Sequence, residues 1–428
     1  MKKQSLAALA AIVLFLSFAP SAWSVPMFAR MYSYNCTMCH YPGYGQLNKF
    51  GYNFRAAGYR IPADIGKDMN GGKYDFTNYI TARFSAGGSV KTTVLASGAA
   101  TPDNGSFTLG GASLYVGGGI SKNFFGYSEI GLGNGTGIFS GTAPTFADLK
   151  MGFVTGTENE FFTARIGKFG ADGFGASDRG PVGNSTIAGT VRPTGTGLEL
   201  GYTHEDTRVT LGFFNGIQNP QLTGLVNTAG SGGSSGKPVT TSSLQAPASD
   251  SNNAKDLQLF VNQFIGDDGL AVNAVFYNGY NASVGATAAA GGTNDVSGQE
   301  YFNAGFFVSS PIVKKLDIKV GVQVGQTNTG VFTAAGPVGP TSGGFSGEVD
   351  YEMDDITPIA FRVDYTTSDF NTKYTDTQKY TLGALTPFVE QVYMNPTITL
   401  TRSNAGLVNG TESYNNAYAL TDSLFVFF

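Results

Sequence analysis

"LDIKVGVQVGQ", residues 316–326, alternates without a break. Leu316, Ile318, Val320, Val322 and Val324 fall on one side, and Asp317, Lys319, Gly321, Gln323 and Gly325 on the other. Successive side chains of a strand point to opposite faces, so this is a strand with one apolar and one polar face. "IAFRVDY" (359–365), "FTARIG" (162–167) and "RVTLGF" (208–213) repeat the pattern. The chain from about residue 74 onward is therefore all-β.

Two architectures suit such strands. A soluble sandwich turns the apolar faces inward; an outer-membrane barrel turns them toward lipid and lines its interior with the polar ones. Connection lengths favour the barrel. About sixteen strands are expected, joined by alternating short and long connections. Short ones fall near 119–123, 156–160, 204–206, 266–269, 310–314, 354–357 and 387–390, and long ones near 93–104, 134–146, 170–194, 216–253, 281–297, 328–344, 367–377 and 403–413. The final "YALTDSLFVFF" ends on Phe428 with apolar residues at alternate positions, as a terminal barrel strand would. An antiparallel barrel of about sixteen strands leaves an aqueous lumen. Its expected inward-facing charges are Arg83, Glu129, Lys150, Arg165, Glu199, Arg208, Asp317, Lys319, Arg362 and Asp364.

The start of the chain agrees on the compartment. Lys2 and Lys3 precede an apolar run, Leu6 to Phe18, followed by Pro20 and Ala22-Trp23-Ser24. This reads as a secretory signal peptide, residues 1–24. Its loss takes the formal net charge from −5 to −7. That acidity argues against a nucleic-acid partner. The expected location is the bacterial outer membrane, with lipid as a partner. The sequence leaves an oligomer open.

The remaining segment, residues 25–72, precedes the barrel at 73–428. It contains "CTMCH", with the only two cysteines, Cys36 and Cys39, and one of two histidines, His40. Cys-x-x-Cys-His is the attachment motif of c-type haem. The thiols bond the haem vinyl groups, and the imidazole is the proximal iron ligand. Three other readings compete: a disulfide in an oxidising compartment, a thioredoxin-like pair, for which the βαβ context is missing, and zinc, for which a further nearby ligand is missing. Met27, Met31, Met69 and His204 are the candidate distal ligands, and a five-coordinate iron is the alternative.

"GQLNKFGYNFRAAGY" predicts a short helix from about Gly45 to Ala57, stopped by Gly58. Leu47, Phe50 and Phe54 form one apolar stripe along it. Arg30, Lys49, Arg55, Arg60 and Lys67 against Asp64 and Asp68 make the segment locally basic. These cations suit either haem propionates or acidic side chains of the barrel. Residues 25–72 thus read as a small, partly helical haem plug.

Phe28-Ala29-Arg30, the motif from Cys36 to His40, Leu47, Asn48, Phe50-Gly51, Phe54 and Gly58-Tyr59 together resemble the head of the fused monohaem cytochrome–porins. The best-known members of that family are outer-membrane iron(II) oxidases. The resemblance is sharp over residues 26–60 and architectural over the rest. It implies one covalent haem c at Cys36, Cys39 and His40, and electron exchange between an external donor or acceptor and a periplasmic cytochrome. Iron(II) oxidation is implied less strongly. Two rival functions stay open: a diffusion porin with a structural or sensory haem, and a barrel that sheathes separate multihaem cytochromes.

Overall fold

The computed structural model describes residues 27–34, 38–40, 47–69, 75–101, 104–134, 145–172, 182, 194–215, 255–266, 270–281, 299–313, 315–328, 332–333, 336–337, 341–354, 357–367, 376–389, 392–408 and 411–427. The expected leader, Cys36 and the long connection 216–253 lie outside the described residues.

Two short helices come first, α1 (Met27–Tyr32) and α2 (Lys49–Ala56), with single 3-10 turns at Pro62–Asp64 and Phe76–Tyr79. Strands follow: β1 (Ile80–Val94), β2 (Asn104–Gly119), β3 (Phe124–Asn134), β4 (Thr145–Gly156), β5 (Glu160–Gly170), β6 (Thr194–His204), β7 (Thr207–Asn215), β8 (Lys255–Ile265), β9 (Leu270–Asn281) and β10 (Gln299–Val313). Then come β11 (Leu316–Asn328), β12 (Phe332–Thr333), β13 (Gly336–Pro337), β14 (Thr341–Asp354), β15 (Thr357–Thr367), β16 (Asp376–Ala384), β17 (Thr386–Val389), β18 (Val392–Met394), β19 (Thr397–Val408) and β20 (Thr411–Phe427).

All but β12 and β13 belong to one sheet of 18 strands. Its pairings are antiparallel, and β1 pairs with both β2 and β20, with Arg83 opposite Phe427 and Val94 opposite Asn416. First strand joined to last closes the sheet, which removes the unpaired edges that an open sheet carries. β16 and β17 are two parts of one stave interrupted at Leu385. β18 and β19 are parts of the next, since Gly383 pairs with Thr397 and Thr386 with Met394. The second break contains Pro396, which has no N–H to give a ladder. Merging these halves leaves sixteen staves, the expected number.

The burial pattern decides between sandwich and barrel. On β5, Phe161, Thr163 and Arg165 are buried, whereas Phe162 is 56% and Ile166 62% exposed. On β15, Arg362 is 1% and Phe361 47% exposed. Val320, Val322, Val324, Phe345 and Val349 likewise face out. A water-soluble core would invert this arrangement; an apolar exterior around a polar interior needs lipid outside. Ring pairs Phe124–Phe153 (5.3 Å) and Phe162–Tyr202 (4.6 Å) stand at the short-turn end, where an aromatic girdle meets the membrane interface.

Most short connections fall where the alternation placed them, but β10 runs on to Val313 and β17 to Val389, through residues expected as connections at 310–314 and 387–390. Thr157 N–H donates to the Glu160 carbonyl at 2.7 Å across one turn, and Glu205 takes a left-handed φ of 50° in another. One long connection is a correction. Residues 403–413 were expected to form a loop, but β19 and β20 stay paired as far as Val408 opposite Thr411. The overlooked signal is Asn409-Gly410, the strongest two-residue hairpin pair.

Candidate functional site: the luminal plug

α2 begins at Lys49 rather than near Gly45, because Asn48 caps it: its side-chain oxygen accepts from Gly51 N–H at 2.9 Å. Such a cap is worth ~1 kcal/mol. The helix ends as predicted at Gly58, in the left-handed region (φ 76°), with Tyr59 N–H reaching the Phe54 carbonyl and Gly58 N–H the Arg55 carbonyl. This is a Schellman closure. A Cβ at Gly58 would also run into the Phe125 ring of β3, so the glycine lets the plug lie flush on the wall.

α2 buries both of its flanks. Phe54, Ala56, Ala57 and Tyr59 pack with Phe125, Val154 and Phe161 of β3, β4 and β5. Tyr52 and Leu47 pack with Phe260, Phe264, Ala271 and Val275 of β8 and β9. The expected single stripe is thereby corrected: Leu47 leaves Phe50 and Phe54 and joins Tyr52 on the other side. A helix inside a barrel has wall on more than one side, so one apolar face does not suffice. Burying each large apolar side chain stabilises the docked plug by ~1.5–3 kcal/mol.

Four of the plug's five cations have partners in the barrel segment, 73–428. Arg55 Nη2 lies 2.7 Å from Asp172 Oδ1, and Lys49 Nζ lies 2.5 Å from Asp206 in the β6–β7 turn. The buried Arg60 donates to the carbonyls of Ser121, Lys122 and Phe124 in the β2–β3 turn. Arg30 donates to the carbonyls of Thr77 and Ile80. Lys67 pairs locally with Asp64 at 3.6 Å. Arg55 and Lys49 thus meet barrel carboxylates, as one of the two expected roles has it, whereas Arg60 and Arg30 meet backbone carbonyls and Lys67 stays within the plug. Arg165, which also binds Asp172, sits ~16 Å along β5 from its turn end at ~3.3 Å per residue. With a tilt of ~40° that is about half of an apolar band ~25 Å tall. The plug therefore reaches well into the lumen.

Within the motif, Cys36 lies outside the described residues, while Cys39 and His40 are half-buried. Asn48 orients this loop three ways. Its backbone N–H donates to the Cys39 carbonyl at 2.9 Å, its side-chain amide to the Met38 carbonyl at 3.0 Å, and its neighbour Leu47 bridges to His40. A Cβ on Gly51 would fall 2.7 and 2.8 Å from the carbonyl carbon and Cα of Cys39, so only glycine lets α2 meet the motif this closely. Aromatic rings continue from there to the wall. Tyr34 meets Phe50 (5.7 Å), Phe50 meets Phe54 (6.5 Å), Phe54 meets Phe28 (5.5 Å), and Phe28, Tyr59 and Tyr127 stack at 4.9 Å steps. A thiol and an imidazole on a partly exposed loop, beside apolar rings and backed by glycine, fit covalent haem c.

The distal candidates scatter. Met27 is buried, and its N–H donates to Thr81 Oγ1 at 2.7 Å. Met31 packs over Gly118. Met69 is buried beside Arg60 and Gly119, and its sulfur accepts from Tyr32 O–H at 3.9 Å. Burial pushes that Tyr32 hydroxyl up to about 12. His204 is exposed and stacks on Tyr202. Strand parity puts it on the outer face, since Thr203 points inward. It is thereby removed as a ligand for anything in the lumen.

All ten predicted inward charges do line the interior. Arg83 pairs with Glu129 at 3.7 Å, Lys150 with Asp148 at 2.9 Å and lies over the Tyr127 ring, and Arg165 pairs with Glu199 at 2.6 Å. Across the barrel, Lys319 binds Glu348 and Asp350, while Arg362 binds Glu348 and Asp364. Reading the sequence missed Asp172, Asp206, Glu348 and Asp350, whose partners lie on other strands or in the plug.

No protein-family model and no curated protein matches the chain. Among solved structures, an anion-selective porin from Comamonas acidovorans aligns with 82% of this chain and 99% of its own, with TM-score 0.53 and 9% identity. The chain has a porin fold. DcaP, an outer membrane channel of Acinetobacter baumannii, aligns with 82% of the chain and 97% of its own (TM-score 0.49, 10% identity). The trimer form of OmpT from Vibrio cholerae aligns with 82% and 99% (TM-score 0.48, 13% identity). Porin fold, lipid-facing exterior and polar lumen together locate the chain in the bacterial outer membrane.

Proposed function

We propose that this porin-fold chain is an outer-membrane electron-transfer protein, with one covalent haem c on Cys36 and Cys39 and His40 as its proximal iron ligand. The observation that carries the reading is the seat of the motif. Asn48 and Gly51 fix Cys39 at the head of α2, and α2 is docked in the lumen. Haem bound there would supply one-electron redox chemistry. The chain's own residues do the rest. Asn48 and Gly51 set the position, Tyr34 and Phe50 offer apolar rings beside the loop, and Arg55, Arg60 and Lys49 hold the plug at its depth. The hydrocarbon layer is ~30 Å thick. A redox centre in the lumen is approachable from both sides, unlike one in the periplasm. An external donor or acceptor on the loop side and a periplasmic cytochrome on the turn side are the partners, and the resemblance puts iron(II) among the donors. The same arrangement serves either direction of flow.

A second reading is a diffusion porin whose haem is structural or sensory. The porin likeness and the polar lumen favour it. One preparation separates the two. Purified protein should show a haem spectrum and a titratable potential, and Cys36→Ala should abolish the pyridine haemochrome; a variant retaining covalent haem sinks the motif reading. Proteoliposomes should pass electrons from an external donor to an enclosed acceptor. Solute flux without electron exchange would overturn the first reading in favour of the second.

A further inference from the structure

The outer face of the terminal strand carries a misfit. On β20 the outward series runs Tyr418, Leu420, Asp422, Leu424 and Val426. Register fixes the direction: Leu420 lies opposite Val90 of β1, Asp422 opposite Gly88 and Val426 opposite Phe84, and Val90, Phe84 and Leu420 all face out. Asp422 Oδ1 has no hydrogen-bond partner. Gly88 offers no side chain beside it, and Phe107 of β2, next in the same row, is 98% exposed. A slot walled by a bare ring thus opens next to the carboxylate. At ~3.3 Å per residue and a tilt of ~40°, Asp422 stands ~13 Å above the Phe427 end of its strand, midway up an apolar band ~25 Å tall. Ionisable groups at such a depth pair with one another or face protein, because lipid solvates them poorly.

β5 carries a counterpart. Its outward series Phe162, Ala164, Ile166 and Lys168 ends in an exposed ammonium beside Leu149 of β4. Among the described residues, Lys168 has no ion-pair partner. By the same measure it stands ~20 Å above Glu160. A flexible four-carbon stem lets the ammonium reach down to the Asp422 level. Within one copy the two cannot meet, since β20, β1, β2, β3, β4 and β5 follow one another around the closed wall. Copies standing side by side in one membrane, all in the same orientation, can bring them together.

We propose that the outer face around Asp422 docks a second copy of this chain, whose β5 face places Lys168 in the slot beside Gly88. This does not depend on the haem reading. In a lone barrel both groups already lie within the apolar band, so pairing gains attraction and loses little hydration. The two faces differ and point in different directions, so the contact is head to tail. Repeated about an axis normal to the membrane, it closes a ring.

The test is the mass of the full-length protein in a mild detergent, read by light scattering over a range of concentrations. Wild type should give a multiple of the single-chain mass. Asp422→Lys and Lys168→Asp should each fall to the single-chain mass, and the two together in one chain should restore the wild-type mass, because the exchanged charges pair again. Asp422→Leu completes an apolar face and should also be single-chain, so the reading survives if Asp422→Lys fails to fold. In intact outer membranes, a hydrophobic carbodiimide should join Asp422 of one chain to Lys168 of another. The proposal is overturned if wild type stays single-chain in both settings, with or without a phospholipid bound at Lys168. It is equally overturned if Asp422→Leu and Lys168→Asp assemble as wild type does, or if the exchanged pair stays single-chain.

Discussion

Gly51→Ala is the smallest change that separates the motif from its helix. In an open helix it would stabilise by ~1 kcal/mol, because glycine is the poorer helix former. Here the new methyl would stand 2.7 and 2.8 Å from two Cys39 backbone carbons, and closer still to the carbonyl oxygen. Carbon atoms prefer ~3.5–4 Å, so helix and loop must part by roughly 1 Å. Overpacking of this kind costs ~1–3 kcal/mol. The same movement strains the hydrogen bond from Asn48 N–H to Cys39, worth ~1 kcal/mol. Net destabilisation of the plug is therefore ~1–3 kcal/mol, opposite in sign to the propensity effect. Limited proteolysis in rising urea reads this directly: cleavage between residues 34 and 47 should begin at lower urea while the barrel stays intact. Covalent haem per chain, from the pyridine haemochrome, should fall in parallel. A plug as resistant as wild type, or more so, would refute the tight docking of α2 on the motif.

Three further outcomes follow from the geometry. Arg60→Met removes three hydrogen bonds to turn carbonyls, each worth ~1 kcal/mol, and should loosen the plug by ~3 kcal/mol, seen as earlier proteolysis with barrel stability unchanged. Val322→Arg puts a charge on the lipid face near the middle of β11 and should destabilise the barrel by ~2–4 kcal/mol in urea unfolding into liposomes. Tyr32 should ionise only near pH 12, since burial favours its neutral form, while exposed tyrosines ionise near ~10. Because the raised value belongs to the docked state, docking loses stability as pH climbs above ~10 and keeps it below. Absorbance at alkaline pH, compared with Tyr32→Phe, should show one late-titrating group.

The period-two pattern fixed strand identity, strand number and the face of each side chain, because alternation is a local property and lipid outside with water inside sorts the two faces. Gly58 as a helix stop and the ten luminal charges were legible for the same local reason. Asn409-Gly410 was equally local and simply overlooked. The motif at Cys36, Cys39 and His40, on which the proposed haem rests, is local as well.

Contacts between distant segments were another matter. Arg55 and Asp172 are 117 residues apart, and nothing near either one announces the other. That Arg55 and Lys49 meet barrel carboxylates, and Arg60 and Arg30 backbone carbonyls, followed only once the plug had a place. His204 looked available because it is one of two histidines. It was expected in a turn, but β6 runs on to His204, and parity from the inward Thr203 then puts it on the outer face. Leu47 changed sides for a similar reason: a helix enclosed by a barrel meets wall on both flanks. Sequence alone determined what each strand residue faces and supplied the motif on which the proposed haem rests. Tertiary structure decided how deep the plug sits and what holds it there, because those depend on closing the sheet into a lumen.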